Sequence, residues 1–325
     1  MAVALSERGR ARTSPNPNVG CVLVKDARVV GRGWTQPGGR PHAEAMALAE
    51  AGEAAKGATA WVTLEPCAHQ SARGPSCADS LIAAGVARVV AALEDPDPRT
   101  AGAGVARLRA AGIDVAAGEG GAVASLAMAG WLTRLRLGRP FITLKLATSL
   151  DGCIALSNGQ SRWITGPQAR AHGHLERARS NMILVGRGTF DADAPRLDVR
   201  LPGLEALSPR RAVLSRAAPP DGWEGITSPE AVSALSGVDW LLVEGGAETA
   251  AAFLRASLVD RLLLYRAPIL MGGGKACLGD LGLGALESAH GRWQLADRRM
   301  LGVDTLETYL RASRSGNPAS APHSP

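Results

Sequence analysis

Long apolar runs are missing from this sequence, which excludes a membrane-spanning helix, and no membrane partner is expected. The N-terminus, Met1-Ala2-Val3-Ala4-Leu5-Ser6-Glu7-Arg8, lacks the basic-then-apolar order of a secretory signal. Cysteine is sparse. Five residues, an odd number at irregular spacing, argue against a disulfide framework, and a reducing cytoplasm fits them best. Lysine occurs only at Lys25, Lys56, Lys145 and Lys275, so the net charge of +6 is almost entirely arginine. The arginines are scattered and aromatics make up only 4%, whereas a nucleic-acid surface concentrates its charge; no nucleic-acid partner is expected. Spread positive charge suits small phosphorylated ligands, or simply a solvated surface.

What is present suffices for two domains: 325 residues, 46% of them hydrophobic. The densest chemical signal runs from Pro41 to Cys77. It opens Pro41-His42-Ala43-Glu44 and closes Glu65-Pro66-Cys67-Ala68-His69, with Cys77 a short loop further on. One imidazole and two thiols can hold a zinc ion and leave its fourth position open, as catalytic zinc requires. Zinc lowers the pKa of a bound water to about 7. Glu44, two residues after His42, is placed to shuttle protons without ligating the metal. His-x-Glu followed by Pro-Cys and a later Cys is the signature of zinc deaminases acting on amino-substituted bases. A closed structural zinc site is the competing reading, with His69 or Cys21 as fourth ligand.

Taken in order, the chain opens with a short helix and a proline-locked loop, Thr13-Ser14-Pro15-Asn16-Pro17-Asn18. Asn18 is a candidate ring-recognition amide, although a turn-capping asparagine is commoner. Two strands, 19–24 and 28–33, form a hairpin through Asp26-Ala27. A helix follows over 43–55, then a strand over 58–64 that delivers Cys67 at its carboxyl end. Pro66 suits the start of a helical turn, whose positive end favours the thiolate. Gly74-Pro75 is a turn that folds the Cys67–Cys77 loop back. Helix 80–84, strand 87–93, helix 104–111 and strand 113–115 complete an alternating pattern that predicts a mostly parallel sheet with helices on both faces. Ligands bind outside the carboxyl ends of such strands, where the metal signature sits.

After Gly118-Glu119-Gly120-Gly121, one helix over 122–137 is expected to connect two domains, 1–138 and 139–312; residues 313–325 have the composition of a disordered tail. The second half carries strands at 141–147, 181–186, 211–214, 240–244 and 261–265. Between the fourth of these and an alanine-rich helix lies Gly245-Gly246, which suits either a phosphate at the helix end or a tight turn. Asp193-Ala194-Pro195-Arg196-Leu197-Asp198-Val199-Arg200 could grip an anion, although alone it reads as a surface loop.

Further motifs join these: Pro15-Asn16-Pro17-Asn18-Val19-Gly20, Leu144-Lys145-Leu146-Ala147-Thr148-Ser149-Leu150-Asp151-Gly152, Ser161-Arg162-Trp163-Ile164-Thr165 and Val243-Glu244-Gly245-Gly246. In this order across both halves, the chain up to about Ala312 resembles the RibD family of bifunctional riboflavin-biosynthesis proteins. The resemblance implies an α/β fold in two parts, an N-terminal cytidine-deaminase-like α/β/α domain and a C-terminal dihydrofolate-reductase-like α/β domain. It implies removal of the 2-amino group of 2,5-diamino-6-(5-phosphoribosylamino)pyrimidin-4-one, with zinc on His42, Cys67 and Cys77 and Glu44 as the catalytic group. NADPH would then reduce the opened ribose to ribityl.

By the same resemblance Ala147, Trp163, Thr189, Asp193, Gly246, Ala247, Glu248, Thr249, Ala250, Ala251 and Ala252 would line the NADPH site. Ser161, Arg177, Leu197, Arg200 and Glu244 would hold substrate, the arginines suiting its phosphate. Lys145 is a further candidate beside the reacting ribose, and a homo-oligomer with a contact on the reductase surface is compatible. The chain departs from the family pattern in three places. The Cys67–Cys77 loop is one residue longer than the usual Cys-Ser-His-x-Gly-Arg-Thr-Pro-Pro-Cys, the passage from Arg200 to Arg211 is short, and Leu214-Ser215-Arg216 stands where an acidic residue is usual. A single-activity deaminase with a non-catalytic C-terminal half is the alternative.

Overall fold

The computed structural model describes residues 1–69, 74–98 and 100–312, so the expected disordered tail lies outside the described residues. The first unit contains α1 (Ala2–Ser6), β1 (Gly20–Lys25), β2 (Arg28–Trp34), α2 (Ala43–Ala51), β3 (Thr59–Val62), α3 (Cys77–Ala83), β4 (Arg88–Ala91), α4 (Ala103–Ala110), β5 (Asp114–Ala117), α5 (Gly121–Ala127) and α6 (Ala129–Leu137). Its sheet runs β2-β1-β3-β4-β5. The hairpin forms as expected, with Asp26 and Ala27 both left-handed at φ 48° and 58°, the two-residue turn that matches strand twist. Only the β3–β4 and β4–β5 pairs are parallel, because β1 pairs antiparallel with β3 as well as β2. The expectation of a mostly parallel sheet is corrected to a mixed one.

Small residues bring α2 onto β2. A Cβ at Gly31 or Gly33 would sit 2.2 or 2.1 Å from the carbonyl oxygens of Ala47 and Ala43. That approach fixes His42, the N-cap of α2, over the sheet. The helix expected over 122–137 breaks at Met128 into α5 and α6.

The second unit contains β6 (Phe141–Thr148), β7 (Cys153–Ala155), α7 (Pro167–Ala178), β8 (Met182–Gly186), α8 (Arg187–Asp193), β9 (Arg210–Leu214), β10 (Glu224–Ile226), β11 (Trp240–Val243), α9 (Ala247–Arg255), β12 (Arg261–Arg266), β13 (Lys275–Ala276), β14 (Trp293–Leu301) and β15 (Asp304–Arg311). The large sheet runs β10-β9-β8-β11-β6-β12-β15-β14, parallel as far as β12 and antiparallel beyond. Ala250 and Phe253 of α9 pack with Ile142, Leu144, Leu184 and Val243 on one face. On the other face, Ala169 of α7 meets Leu263 and Tyr265. The β14–β15 hairpin was not expected from the sequence: β14 is an exposed edge strand carrying Asp297, Arg298 and Arg299, charges that blunt an edge and erase the apolar pattern of a buried strand.

The two units meet at Trp240. Its ring lies 5.3 Å from that of Phe141, the Arg10 guanidinium stacks 3.8 Å above it, and a Cβ on Gly130 of α6 would come within 2.4 Å of it. Arg10 is buried among charges from the second unit, including Glu176 and Arg261, which pair with each other. Burial pushes the Glu176 carboxyl up, but Arg261 and Arg10 outweigh it and hold it down at about 2.

Two outcomes follow for this junction. Gly130→Ala should lower stability by about 1–3 kcal/mol through overpacking on Trp240, read as a fall in Tm. The Glu176 carboxyl lies below its unfolded value of about 4.3, so its contribution is complete above that pH and is lost as pH falls toward 2. An acid titration followed by tryptophan fluorescence should show that loss, and Glu176→Gln should flatten the same limb.

Candidate active sites

The first site begins with three donors from three segments. His42 caps α2, Cys67 follows β3 in an irregular passage, and Cys77 is the first residue of α3. The His42 Nδ1 atom lies 3.3 Å from the Cys77 sulfur and 3.7 Å from the Cys67 sulfur, and all three donor atoms fall within 4.8 Å of one another. Tetrahedral zinc with ordinary Zn–N and Zn–S bonds separates its ligands by about 3.5–3.8 Å, so this donor set fits the ion. Cys21 is buried in the sheet core and His69 lies outside the group, so among the described residues neither closes the site. The helix terminus expected at Cys67 belongs instead to Cys77, because Ser76 caps α3 by accepting the Asp79 N–H. Its benefit still reaches Cys67, whose sulfur accepts the Cys77 N–H at 3.4 Å.

That arrangement divides the two thiols. Hydrogen bonding from Cys77, countered in part by burial and supported by His42, pulls the Cys67 thiol down to about 4. Sharing the proton with Cys67 and burial both push Cys77 up. Glu44, on the first turn of α2, is buried beside them. Burial raises its carboxyl above the ordinary range, with His42 partly opposing. The Asn16 amide nitrogen lies 3.2 Å from His42 Nε2 and donates to the Gly39 carbonyl at 2.9 Å, which fixes the amide beside the imidazole.

A cavity of about 350 Å³ opens over these groups, walled by Asn16, Arg40, His69, Asp95, Asp97 and Trp131. Asn16 is the cavity amide, not Asn18, which is buried and donates to the carbonyls of Ser6 and Ala127. Sequence reasoning missed Arg40, Asp95 and Asp97. The available signal was Asp95-Pro96-Asp97-Pro98 just past the carboxyl end of β4, where such sheets bind ligands. The turn expected at Gly74-Pro75 borders residues 70–73, which lie outside the described residues; Gly74 itself has φ 129°, a left-handed backbone that favours glycine.

The second site lies at the carboxyl ends of β6, β8 and β11. Glu244, just past β11, accepts a bidentate pair from Arg177 of α7 at 2.8 and 3.0 Å, with Lys145 Nζ at 3.6 Å. Burial alone would raise Glu244, but Lys145 and Arg177 hold it at about 2. Arg177 also donates to the Asp198 carbonyl, so its charge is committed to the protein and not free for a phosphate. Gly245 gives α9 its close approach, since a Cβ there would sit 2.5 Å from Thr249 Cβ. The Gly246 N–H donates to the Thr189 hydroxyl, and α9 begins with no side-chain cap. Its first amides therefore present a positive end that suits a phosphate.

The remaining expected residues are dispersed around this point. Ala147 lies on β6 opposite Tyr265 of β12, and the two adjoin in one apolar cluster. Asp193 ends α8, 3.4 Å from Arg162, and Trp163 is 66% exposed with Arg170 stacked on it. Ser161 is half-buried. Leu197 is buried at φ 55°, and Arg200 is exposed with its N–H on His174 Nδ1. Ala247 and Thr249 are also buried, Ala252 is half-buried and Glu248 is exposed. Ala250 and Ala251 face the core, so their side chains reach no ligand.

Comparison with known proteins extends this picture. Residues 1–93 match the family described as cytidine and deoxycytidylate deaminase zinc-binding region, and residues 140–306 match the RibD C-terminal domain. The chain is 44% identical to the riboflavin biosynthesis protein RibD of Escherichia coli over 319 residues, covering 83% of this chain and 87% of that protein. It is 40% identical to RibD of Mycobacterium tuberculosis, with 94% of each covered. A structure of Acinetobacter baumannii RibD superposes with a TM-score of 0.83 at 36% identity, covering 96% of this chain and 97% of that one. A Thermotoga maritima structure, described as a diaminohydroxyphosphoribosylaminopyrimidine deaminase and 5-amino-6-(5-phosphoribosylamino)uracil reductase, gives a TM-score of 0.86 at 30% identity over 96% of this chain and 97% of that one.

The unequal thiols set an expected proton count. Zinc added to metal-free protein at pH 7 should release about one proton, chiefly from Cys77, since Cys67 is already ionised. Calorimetric titration in two buffers of different ionisation enthalpy, repeated at pH 6 where a zinc-bound water stays largely protonated, measures it, and release of two protons at pH 6 would show both thiols protonated beforehand.

Proposed function

Given that the chain belongs to the RibD family, bifunctional enzymes of riboflavin biosynthesis that join a zinc-dependent deaminase to an NADPH-dependent reductase, we propose that His42, Cys67 and Cys77 hold the zinc and Glu44 moves the protons of the deamination. The observation that carries this reading is the set of three donor atoms within 4.8 Å, two of them from the cavity-lining residues His42 and Cys67, with Glu44 buried beside them. When bound, zinc supplies a water acidic enough to ionise near neutral pH. Glu44 takes a proton and returns it to the departing amine. Its raised carboxyl sits nearer the range where one group can both accept and donate.

The substrate we assign to residues 1–138 is 2,5-diamino-6-(5-phosphoribosylamino)pyrimidin-4-one, losing its 2-amino group as ammonia. The Thermotoga maritima relative is described with this pair of activities. For residues 139–312 we assign reduction of the ribosyl group to ribityl. NADPH would supply the hydride, and the first turn of α9 with Thr189, Asp193, Ala147 and Trp163 would hold it. Glu244 faces the substrate in an ionised state, oriented by Arg177, and Lys145 lies beside it to balance developing negative charge. Arg200, Ser161 and Leu197 complete the substrate side. A cytoplasmic, reducing setting belongs to the same proposal and fits five free thiols.

Glu44→Gln is the direct test. It should keep its zinc and lose ammonia release by about 100- to 10,000-fold, the usual range for a general acid–base group. NADPH oxidation should persist when the deaminated ribotide is supplied. Zinc loss in this variant, or retained ammonia release, would remove Glu44 from the role given to it.

A further inference from the structure

The ribotide assigned to the deaminase carries a phosphate dianion, and a partly enclosed phosphate needs a fixed cation. Among the described residues, the cavity above the candidate zinc ligands offers few. Its described lining includes the carboxylates Glu44, Glu65, Asp95 and Asp97, and among the described residues one side chain that is permanently cationic, Arg40. An acidic wall repels a dianion, so the cation that admits it must come from a defined place.

Arg40 stands immediately before Pro41-His42, on the passage that leads from β2 into α2. Its Nε is buried and has no hydrogen-bond partner. A guanidinium N–H taken out of water and left unpaired is costly, and native proteins seldom keep one without a use. Other arginines near the two sites are already committed: Arg177 to Glu244, Arg261 to Glu176 and Arg139 to Asp260. Arg40 forms no ion pair among the described residues. In the same cavity wall His69 Nδ1 is a second buried atom without a partner. Both nitrogens belong to residues that line the same cavity, where a bound ligand can supply the missing acceptor.

We propose that Arg40 is the phosphate anchor of the deaminase cavity and sets its preference for the phosphorylated pyrimidine over the dephosphorylated nucleoside. The inference rests on the deaminase reading above. A planar fork of N–H donors suits a phosphate in two-point contact, which a lysine at the same place would meet only as a point charge.

The test pairs enzyme and substrate changes. Wild type, Arg40→Ala and Arg40→Lys are assayed for ammonia release with the diaminopyrimidine ribotide and with the same compound after phosphatase treatment. For Arg40→Ala the kcat/KM on the ribotide should fall about 10- to 100-fold, mainly through KM, as loss of a charge-assisted contact predicts. The value on the dephosphorylated compound should stay within about twofold, and Arg40→Lys should recover part of the loss. NADPH oxidation with the deaminated ribotide should be unchanged, reporting an intact fold. Equal losses on both compounds would overturn the proposal, since Arg40 would then shape the site without reading phosphate. No loss on either would overturn it too, placing the phosphate elsewhere. Wild type releasing no ammonia is a separate result: it would sink the deaminase reading and this inference with it.

Discussion

The candidate deaminase site depends on one buried carboxylate that is bonded to backbone amides. Glu65 lies two residues before Cys67, and its oxygens accept the backbone N–H groups of Asp95, Gly102 and Val105 at 3.0 to 3.2 Å. A carboxylate there must be fully hydrogen-bonded or its burial would outweigh what it contributes. The bonds it needs come from the segment that leaves β4, so the Asp95–Asp97 wall of the cavity is tied to the zinc loop. Gly104 tightens the joint: a Cβ there would lie 1.9 Å from the Pro66 carbonyl oxygen. The ligand loop and the opposite wall are therefore held together before any substrate arrives, which is what preorganisation of a site requires.

The second unit uses the same device with different partners. Glu244 also sits just past the carboxyl end of a central strand, but cations satisfy it in place of amides. Glu65 is spent on holding backbone together. Glu244 keeps its charge, and the site inherits that charge. A third acid, Asp151, accepts the Ser149 hydroxyl and the N–H groups of Met271 and Gly272, and these bonds bring its carboxyl to about 2. It joins the turn after β6 to the passage after β12. In a sheet of parallel strands the carboxyl ends carry the loops that bind ligands. Acids placed at those ends convert free loops into fixed ones.

What could be read from the sequence follows how local each interaction is. His42, Glu44, Cys67 and Cys77 sit in short motifs whose spacing already implies one chemistry, and the strands β1, β3, β8, β11 and β12 announce themselves as apolar runs. The choice between Asn16 and Asn18 was not legible, because only the fold decides which amide turns toward His42. Nor was the commitment of Arg177, whose partner Glu244 lies 67 residues away. Arg40 carries no signal at all until the cavity exists. The helix terminus was misplaced at Cys67 since Pro66 is a fair helix starter, but Ser76 supplies the cap and Pro66 does not. Edge strand β14 escaped because its charges suit solvent on both faces and leave no period to detect.

The longer Cys67–Cys77 loop shows why ligand geometry and loop length can vary apart. Both ends are anchored by bonds at or next to the two cysteines. The Cys67 carbonyl accepts the Ala78 N–H at 3.2 Å, the Cys67 sulfur accepts the Cys77 N–H, and Ser76 is held by Asp79. One added residue in a loop of this size raises the closure cost by only about 0.1 kcal/mol. That is small beside a single one of those anchoring bonds, each worth about 1 kcal/mol. These bonds hold the two cysteines, the candidate zinc donors, at the ends of the loop.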